Sequence, residues 1–238
     1  MHLRMGMHAL TIDTARVRTG RWRGSDELAY LVPLSGASTL TPGALAEIRE
    51  RLRADGFRAV ITAAVAPSER DRLEADGFSR HELLHLLRRD LRLPLPPLPS
   101  RHRGIRRGRR IDRRSILRID AETFEPFWQL DTDGLHEAIK ATPTARLRIV
   151  RRAGVEGYAI TGCAARQGYL QRLAVAPERQ GTGLGVALVT DGLHWLRRRG
   201  AGVCWVNTQE ANQAALSLYR KLGFVSADHR LTVLRRDL

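Results

Sequence analysis

Apolar positions fall into short blocks along the chain, and the blocks form two matching series. LAYLVP (28–33) and LAVAP (173–177) each predict a strand closed by a proline, which cannot donate to a continuing ladder. LRADGFRAVIT (52–62) and LRRRGAGVCWV (196–206) each read as the end of a basic helix, a glycine cap and an apolar strand. LEADGF (73–78) and LYRKLGF (218–224) are helix ends closed by glycine and an aromatic, and LHLLRRDL (84–91) and LTVLRRDL (231–238) end the two series with nearly the same words. A strand–loop–helix–strand–helix–strand unit is written twice. This predicts an α/β protein assembled from two copies of one unit.

The copies are unequal. The Pro-rich stretch LRLPLPPLPSR (91–101) between them predicts an extended, semi-rigid linker, which gives expected boundaries of 1–92, 93–103 and 104–238. About thirty residues precede the first proline-closed strand, against about seventy between the linker and the second, so the first copy reads as truncated. The loops that follow these strands differ as well. ERQGTGLGVAL (178–188) carries glycine at 181, 183 and 185, whereas LSGASTLTPGAL (34–45) keeps little beyond Gly36. A backbone that must wrap an anion needs glycine, because several N–H groups converge only where side chains do not intrude. The helix that follows adds its positive end. Only the second copy is expected to hold a phosphate.

Composition changes this picture in one respect. The formal charge is +15, and nearly all basic residues are arginine, with Lys140 and Lys221 the exceptions. Eight arginines lie in RHRGIRRGRRIDRR (101–114), a run able to meet phosphates. It lacks interleaved aromatics to stack bases, so a solvated or acid-paired basic face is favoured over a nucleic-acid site. Cys163 and Cys204 have no metal-ligand spacing and form no framework, which fits a reducing compartment. With no signal-peptide pattern and no bilayer-length apolar segment, a cytoplasmic protein without membrane contact is expected.

RLAVAPERQGTGLGVALVTDGLHWL (172–196), followed by NTQEANQAALSLYRKLGF (207–224), resembles the GNAT superfamily of acyl-CoA N-acyltransferases. The strand ending in proline, the Q/R-x-x-G-x-G/A loop and the late N-x-x-A-x-x-L-Y…G-F helix occur in the family's order. The likeness covers about 104–238, with a degenerate version of its second half over about 28–91, as in two-domain members of which the mycothiol synthases are one group. It implies a GNAT fold, a complete C-terminal copy plus a truncated N-terminal one, with a mixed sheet split open between its fourth and fifth strands. It also implies acetyl-CoA as cosubstrate in that split. The pantetheine arm would lie along Leu173, Ala174 and Val175, and the pyrophosphate would take N–H groups of Gln180, Gly181, Thr182, Gly183, Leu184 and Gly185. A primary amine would attack the thioester directly in a ternary complex. Tyr219 would protonate the leaving thiolate, with packing under the Gly-Phe turn as the plain alternative. Asn212 would start its helix beside the cofactor, or simply cap it.

The general base is less legible. Family members often place a glutamate five residues before the motif asparagine, and that count lands on Asn207, which implies water relayed through Asn207 or a carboxylate from elsewhere. Glu156 and Asp131 are the carboxylates considered. The family's acceptor pocket corresponds to FEPFWQLDTDGLHEAIKATP (124–143), where Trp128 and Asp131 would suit a cationic amine, unless Asp131 caps the next helix and the aromatics pack inward. The acceptor itself is not identified. HELLH (81–85) spells a zinc-protease pattern, but the repeat places it on a strand, where residues four apart lie roughly 13 Å apart, so no metal is expected. A non-catalytic acyl-CoA-binding or nucleic-acid-associated scaffold of the same fold is the alternative to an N-acetyltransferase.

Overall fold

The computed structural model describes residues 7–98 and 104–238. Its N-terminal elements are β1 (His8–Ile12), β2 (Ala15–Arg21), β3 (Leu28–Pro33), α1 (Pro42–Ala54), β4 (Ala59–Thr62), α2 (Pro67–Ala75) and β5 (Ser79–Asp90). After the linker come β6 (Ile105–Arg107), α3 (Arg113–Thr123), α4 (Thr132–Lys140), β7 (Thr144–Arg151), β8 (Val155–Ala164) and β9 (Gln167–Val175). The chain closes with α5 (Leu184–Arg198), β10 (Val203–Gln209), α6 (Gln213–Lys221), β11 (Val225–Ser226) and β12 (Leu231–Asp237). Both predicted series are present, and among the described residues the first shows no counterparts of β6, α3 and α4.

Two compact units result, and they do not follow chain order. The first holds residues 1–86, 207–211 and 227–238; the second holds 87–206 and 212–226. In the first, the strand order is β1-β2-β3-β4-β12-β5, with β3 and β4 parallel. In the second it is β6-β7-β8-β9-β10, with β9 and β10 parallel, and the last residues of β5 lie beside β10 through Leu91 N–H to Gly202 O at 2.9 Å. The sequence range 104–238 is therefore not the second unit: its terminal strand belongs to the first, and the end of the first repeat belongs to the second. The physical reason is burial. Leu234 of β12 sits in the first core and donates its N–H to Thr62 Oγ1 at 2.9 Å, while Leu87 and Leu91 sit in the second core. Arg236 of β12 pairs at 3.0 Å with Asp76, which Arg49 of α1 also meets. Near-identical endings give both strands the same apolar-then-basic pattern, so either can fill such a position.

Helix faces follow the cores. In α1, Ala44, Leu45, Ile48 and Leu52 make one apolar stripe, and Thr41 caps the helix by accepting from Ala44 N–H at 3.2 Å. In the second unit, α3 and α4 cover one sheet face through Ile116, Ile119 and Leu135, and α5 covers the other through Ala187, Leu188 and Leu193. The linker is tied down as far as it is described. Leu95 packs on the second core, His194 Nε2 contacts Pro96 O at 2.9 Å, and Arg89 donates to Pro94 O at 2.5 Å. Of the basic run, residues 101–103 lie outside the described residues. Arg106 makes a bidentate pair with fully buried Asp112 at 2.7 and 2.9 Å, while Arg107, Arg110 and Arg114 face solvent. HELLH lies on strand β5, as the repeat predicted.

A fragment of residues 104–238 lacks Leu87 and Leu91 and keeps β12 without its sheet. Each fully buried leucine lost costs about 2–5 kcal/mol. The fragment is expected to melt far below the full chain, or not to fold; equal thermal transitions by circular dichroism would contradict this assignment of strands.

Candidate active site

β9 and β10 run parallel and pair only through Gln167–Tyr169 with Val203–Trp205. Beyond Tyr169 the register of β9 continues on one side alone, with β8. Ala176 N–H bonds Glu156 O at 2.9 Å, so residues 176, 174 and 172 turn their backbone to β8, and Leu173 and Val175 turn theirs to the open edge. Of the three residues expected to flank an extended ligand, two present backbone groups there, and Ala174 packs its side chain into the core under α3. Val175 O already accepts from Gln180 Nε2 at 3.2 Å, which ties the loop to the strand end.

The loop then enters α5 without a side-chain cap. Gly183 is the N-cap at φ +85° and Gly181 stands at φ +70°, both left-handed values that favour glycine. A Cβ on Gly185 would lie 3.1 Å from Leu218 Cδ1. Ala187 makes the first return bond, to Gly183 O at 3.0 Å, so the N–H groups of Leu184, Gly185 and Val186 point out of the helix start. Thr182 turns its hydroxyl back to Arg179 O at 2.6 Å and stays clear of that start. The equivalent loop in the first copy is filled by its own groups. Leu34 and Ser35 donate to Arg16 O, Ser35 and Thr39 hydroxyls meet at 2.6 Å, Thr41 caps α1, and Pro42 removes an N–H.

Tyr219 lies in the second core at 5% exposure, 5.5 Å from the Phe224 ring. Burial, and next the neighbouring Cys204, hold its phenol above the ordinary tyrosine range. Burial pushes the Cys204 thiol up to about 12. Asn212 accepts from Ala215 N–H at 3.0 Å and caps α6. Asn207, on β10, is exposed and belongs to the first unit.

The segment read as an acceptor loop is organised by a group that the sequence reading did not single out. Asp120 of α3 is fully buried and takes two bonds from Arg172 of β9 at 2.8 Å each, one from Leu130 N–H at 2.6 Å, and one from the Tyr158 hydroxyl. Arg172 also donates to Trp128 O at 2.8 Å and lies 3.4 Å over the Phe124 ring. Trp128 and Asp131 are thus in one loop, but Asp131 caps α4 through Gly134 N–H at 2.6 Å. Glu156 does not join them: its carboxylate meets Arg179 at 3.2 Å, at the root of the glycine loop. Next to Arg172, Gln171 has no partner in the β8 register and forms a β-bulge. Gly162 makes room for it, since a Cβ there would meet Thr142 Oγ1 at 2.2 Å and Gln171 Nε2 at 2.6 Å. One signal could have revealed Asp120: an acid at the i+4 position of the apolar stripe Ile116, Ile119, Asp120.

A glycine loop following a strand with an open edge is the arrangement that the resemblance to the GNAT acyltransferases implies. The sequence pattern of the acetyltransferase (GNAT) family matches residues 114–224, and this part of the chain is a GNAT acetyltransferase domain. Mycothiol acetyltransferase of Thermobispora bispora is 33% identical over 165 residues, covering 62% of this chain and 55% of that one. The [ribosomal protein bS18]-alanine N-acetyltransferase of Escherichia coli is 32% identical over 83 residues, 35% of this chain and 56% of that one. The chain thus spans little more than half the length of these curated relatives. Among solved structures, a tandem GNAT protein from the clavulanic acid biosynthesis pathway aligns with TM-score 0.67 at 15% identity, covering 94% of this chain and 78% of that one. A GCN5-related N-acetyltransferase from Kribbella flavida aligns with TM-score 0.65 at 14% identity, covering 97% and 89%. The two-copy arrangement read from the repeat and the GNAT fold implied by the resemblance are the fold observed.

Asp120→Asn removes the counter-charge and leaves Arg172 largely buried. Stability is expected to fall by about 3–5 kcal/mol in urea unfolding; a loss below about 1 kcal/mol would show that the pair does not organise this face.

Proposed function

We propose that this protein is an acetyl-CoA-dependent N-acetyltransferase, with the second compact unit binding the cosubstrate and a primary amine attacking its thioester directly. The observation that carries this reading is the start of α5, where glycines leave consecutive N–H groups directed outward beside an open strand edge. The donors of Gln180 to Gly185 would hold the pyrophosphate, and Leu173 and Val175 the pantetheine amides. Both named relatives are acetyltransferases, one acting on an alanine of a ribosomal protein, which supports acetyl transfer to nitrogen. Among the described residues no helix is long and apolar enough to cross a membrane; the proposed site of action is the cytoplasm.

Tyr219 is the proposed general acid. Its raised pKa keeps the phenol protonated through neutral and mildly alkaline pH. The same burial acts on a thiolate, as Cys204 at about 12 shows, so a leaving thiolate in those surroundings would draw the proton strongly. Trp128, packed edge-to-face with Phe127, would form one wall of the amine site. A second reading, acyl-CoA binding without turnover, has its own support: Asn207 occupies the expected base position, Asp131 is committed to a cap, and Glu156 is committed to Arg179. Calorimetry with acetyl-CoA followed by thiol release across a panel of primary amines separates the two. Binding with no release from any amine would favour the second.

Acetyl-CoA is expected to bind once per chain. Gly183→Val should abolish binding, because a β-branched residue at φ +85° is strained at the helix start. Gly36→Val should leave it intact, since Gly36 sits at φ −61° with open space around its Cβ position. Two sites by calorimetry would exclude the one-loop reading.

Tyr219→Phe should keep acetyl-CoA affinity nearly constant and lower kcat by about 100-fold or more, roughly 3 kcal/mol. The protonated phenol is the active form and its pKa is raised, so the wild-type rate should not fall on the phenol's account until pH exceeds about 10. Weaker cosubstrate binding with kcat intact would make Tyr219 a packing residue.

A further inference from the structure

One buried carboxylate holds two arginines at the root of the glycine loop. Glu156, on β8, is 6% exposed. Its Oε1 lies 3.2 Å from Arg179 Nη2, and its Oε2 lies 3.9 Å from Arg152 Nε, short of hydrogen-bond contact, with no other partner. Both guanidinium groups remain about half exposed, Arg179 at 47% and Arg152 at 51%. Arg179 directly precedes Gln180, and the Ala176 N–H to Glu156 O bond fixes the strand end and the loop root together. Arg151, beside Arg152, lies 3.5 Å from buried Asp112 and is also half exposed. These arginines therefore each stand within ion-pair distance of a buried carboxylate while about half of each side chain stays open to solvent. One carboxylate between two guanidinium groups leaves a net positive charge, and forked donors suit a phosphate better than a carboxylate-poor surface of lysines would.

Coenzyme A carries a phosphate monoester on its ribose, one sugar away from the pyrophosphate. We propose that Arg152 and Arg179, held by Glu156, receive this 3′-phosphate and make the protein select coenzyme A over its dephospho form. The inference rests on the reading above that the glycine loop holds the pyrophosphate. A dianion that meets both guanidinium groups offsets the positive charge that a single carboxylate leaves on them. Nothing covalent changes; the site sets affinity, and chemistry stays with the thioester.

The test is calorimetry on the full chain with coenzyme A and with dephospho-coenzyme A. Wild type should bind coenzyme A about tenfold tighter or more, the scale of one charge-assisted bond. Arg152→Gln should weaken coenzyme A about tenfold and change dephospho-coenzyme A by less than about twofold, while Arg118→Gln, an exposed helix-pair arginine, should change neither. Binding of both forms with equal affinity by wild type would overturn the inference without needing any variant to fold. An equal loss for both forms in Arg152→Gln would overturn it too. Binding of neither form would instead overturn the reading of the glycine loop on which the inference stands.

Discussion

Asp120 puts a charge where the apolar stripe of α3 should be, and the second unit is organised around answering it. A lone carboxylate in that position would be prohibitively costly to bury. Arg172 meets it with both arms of its fork, and Leu130 N–H and the Tyr158 hydroxyl fill its remaining acceptor sites. Four pieces of chain are thereby fixed relative to one another: α3, the loop from Phe124 to Leu130, β8 and β9. Burial alone could have packed these elements more cheaply with leucines. The pair adds direction: it fixes Arg172 beside the bulge at Gln171, on the stretch of β9 where pairing with β10 has already ended. The burial that holds the Tyr158 phenol above its ordinary range keeps it a donor to Asp120 at all ordinary pH.

The two copies of the loop differ chiefly in how many backbone donors they leave unspent. Both follow a proline-terminated strand and both lead into a helix. In the first, Thr41 supplies a cap, Pro42 deletes a donor, and Ser35 and Thr39 satisfy each other. In the second, glycines at positive φ carry the chain into α5 and spend no side chain on its first turn. The difference is one of unspent hydrogen-bonding capacity, since the dipole of the helix is present in both.

Those loops were legible because glycine and proline act locally, and the repeat was legible because two series of strands and helix ends coincide in order. The membership of the closing strands was not. LHLLRRDL and LTVLRRDL are so alike that local preference cannot say which sheet each joins; long-range burial of Leu87, Leu91 and Leu234 decides. The acceptor side was only partly legible, for a related reason. Asp131 and Glu156 were conspicuous as acids near aromatics or on a strand, yet hydrogen bonding to Gly134 and pairing with Arg179 account for them. Asp120, inconspicuous within an ordinary helix, is the acid that shapes the site.

The arginine excess takes on a structural meaning once these acids are placed. Asp76 is met by Arg49 and Arg236, Asp112 by Arg106 and Arg151, Asp191 by Arg146 and Arg148, and Glu156 by Arg152 and Arg179. A carboxylate has two oxygens and about four acceptor directions, and a planar guanidinium can share them where an ammonium point charge would crowd. Burial lowers the pKa of Arg146 to about 10 even beside Asp191, which still leaves it charged at neutral pH. A lysine, starting from a lower value, would be more readily neutralised by the same burial and would leave its carboxylate unanswered. Two cations around each of these four anions leave positive charge at the rim of each group. The net charge of +15 is in this sense partly the outer side of the interior's own bonding.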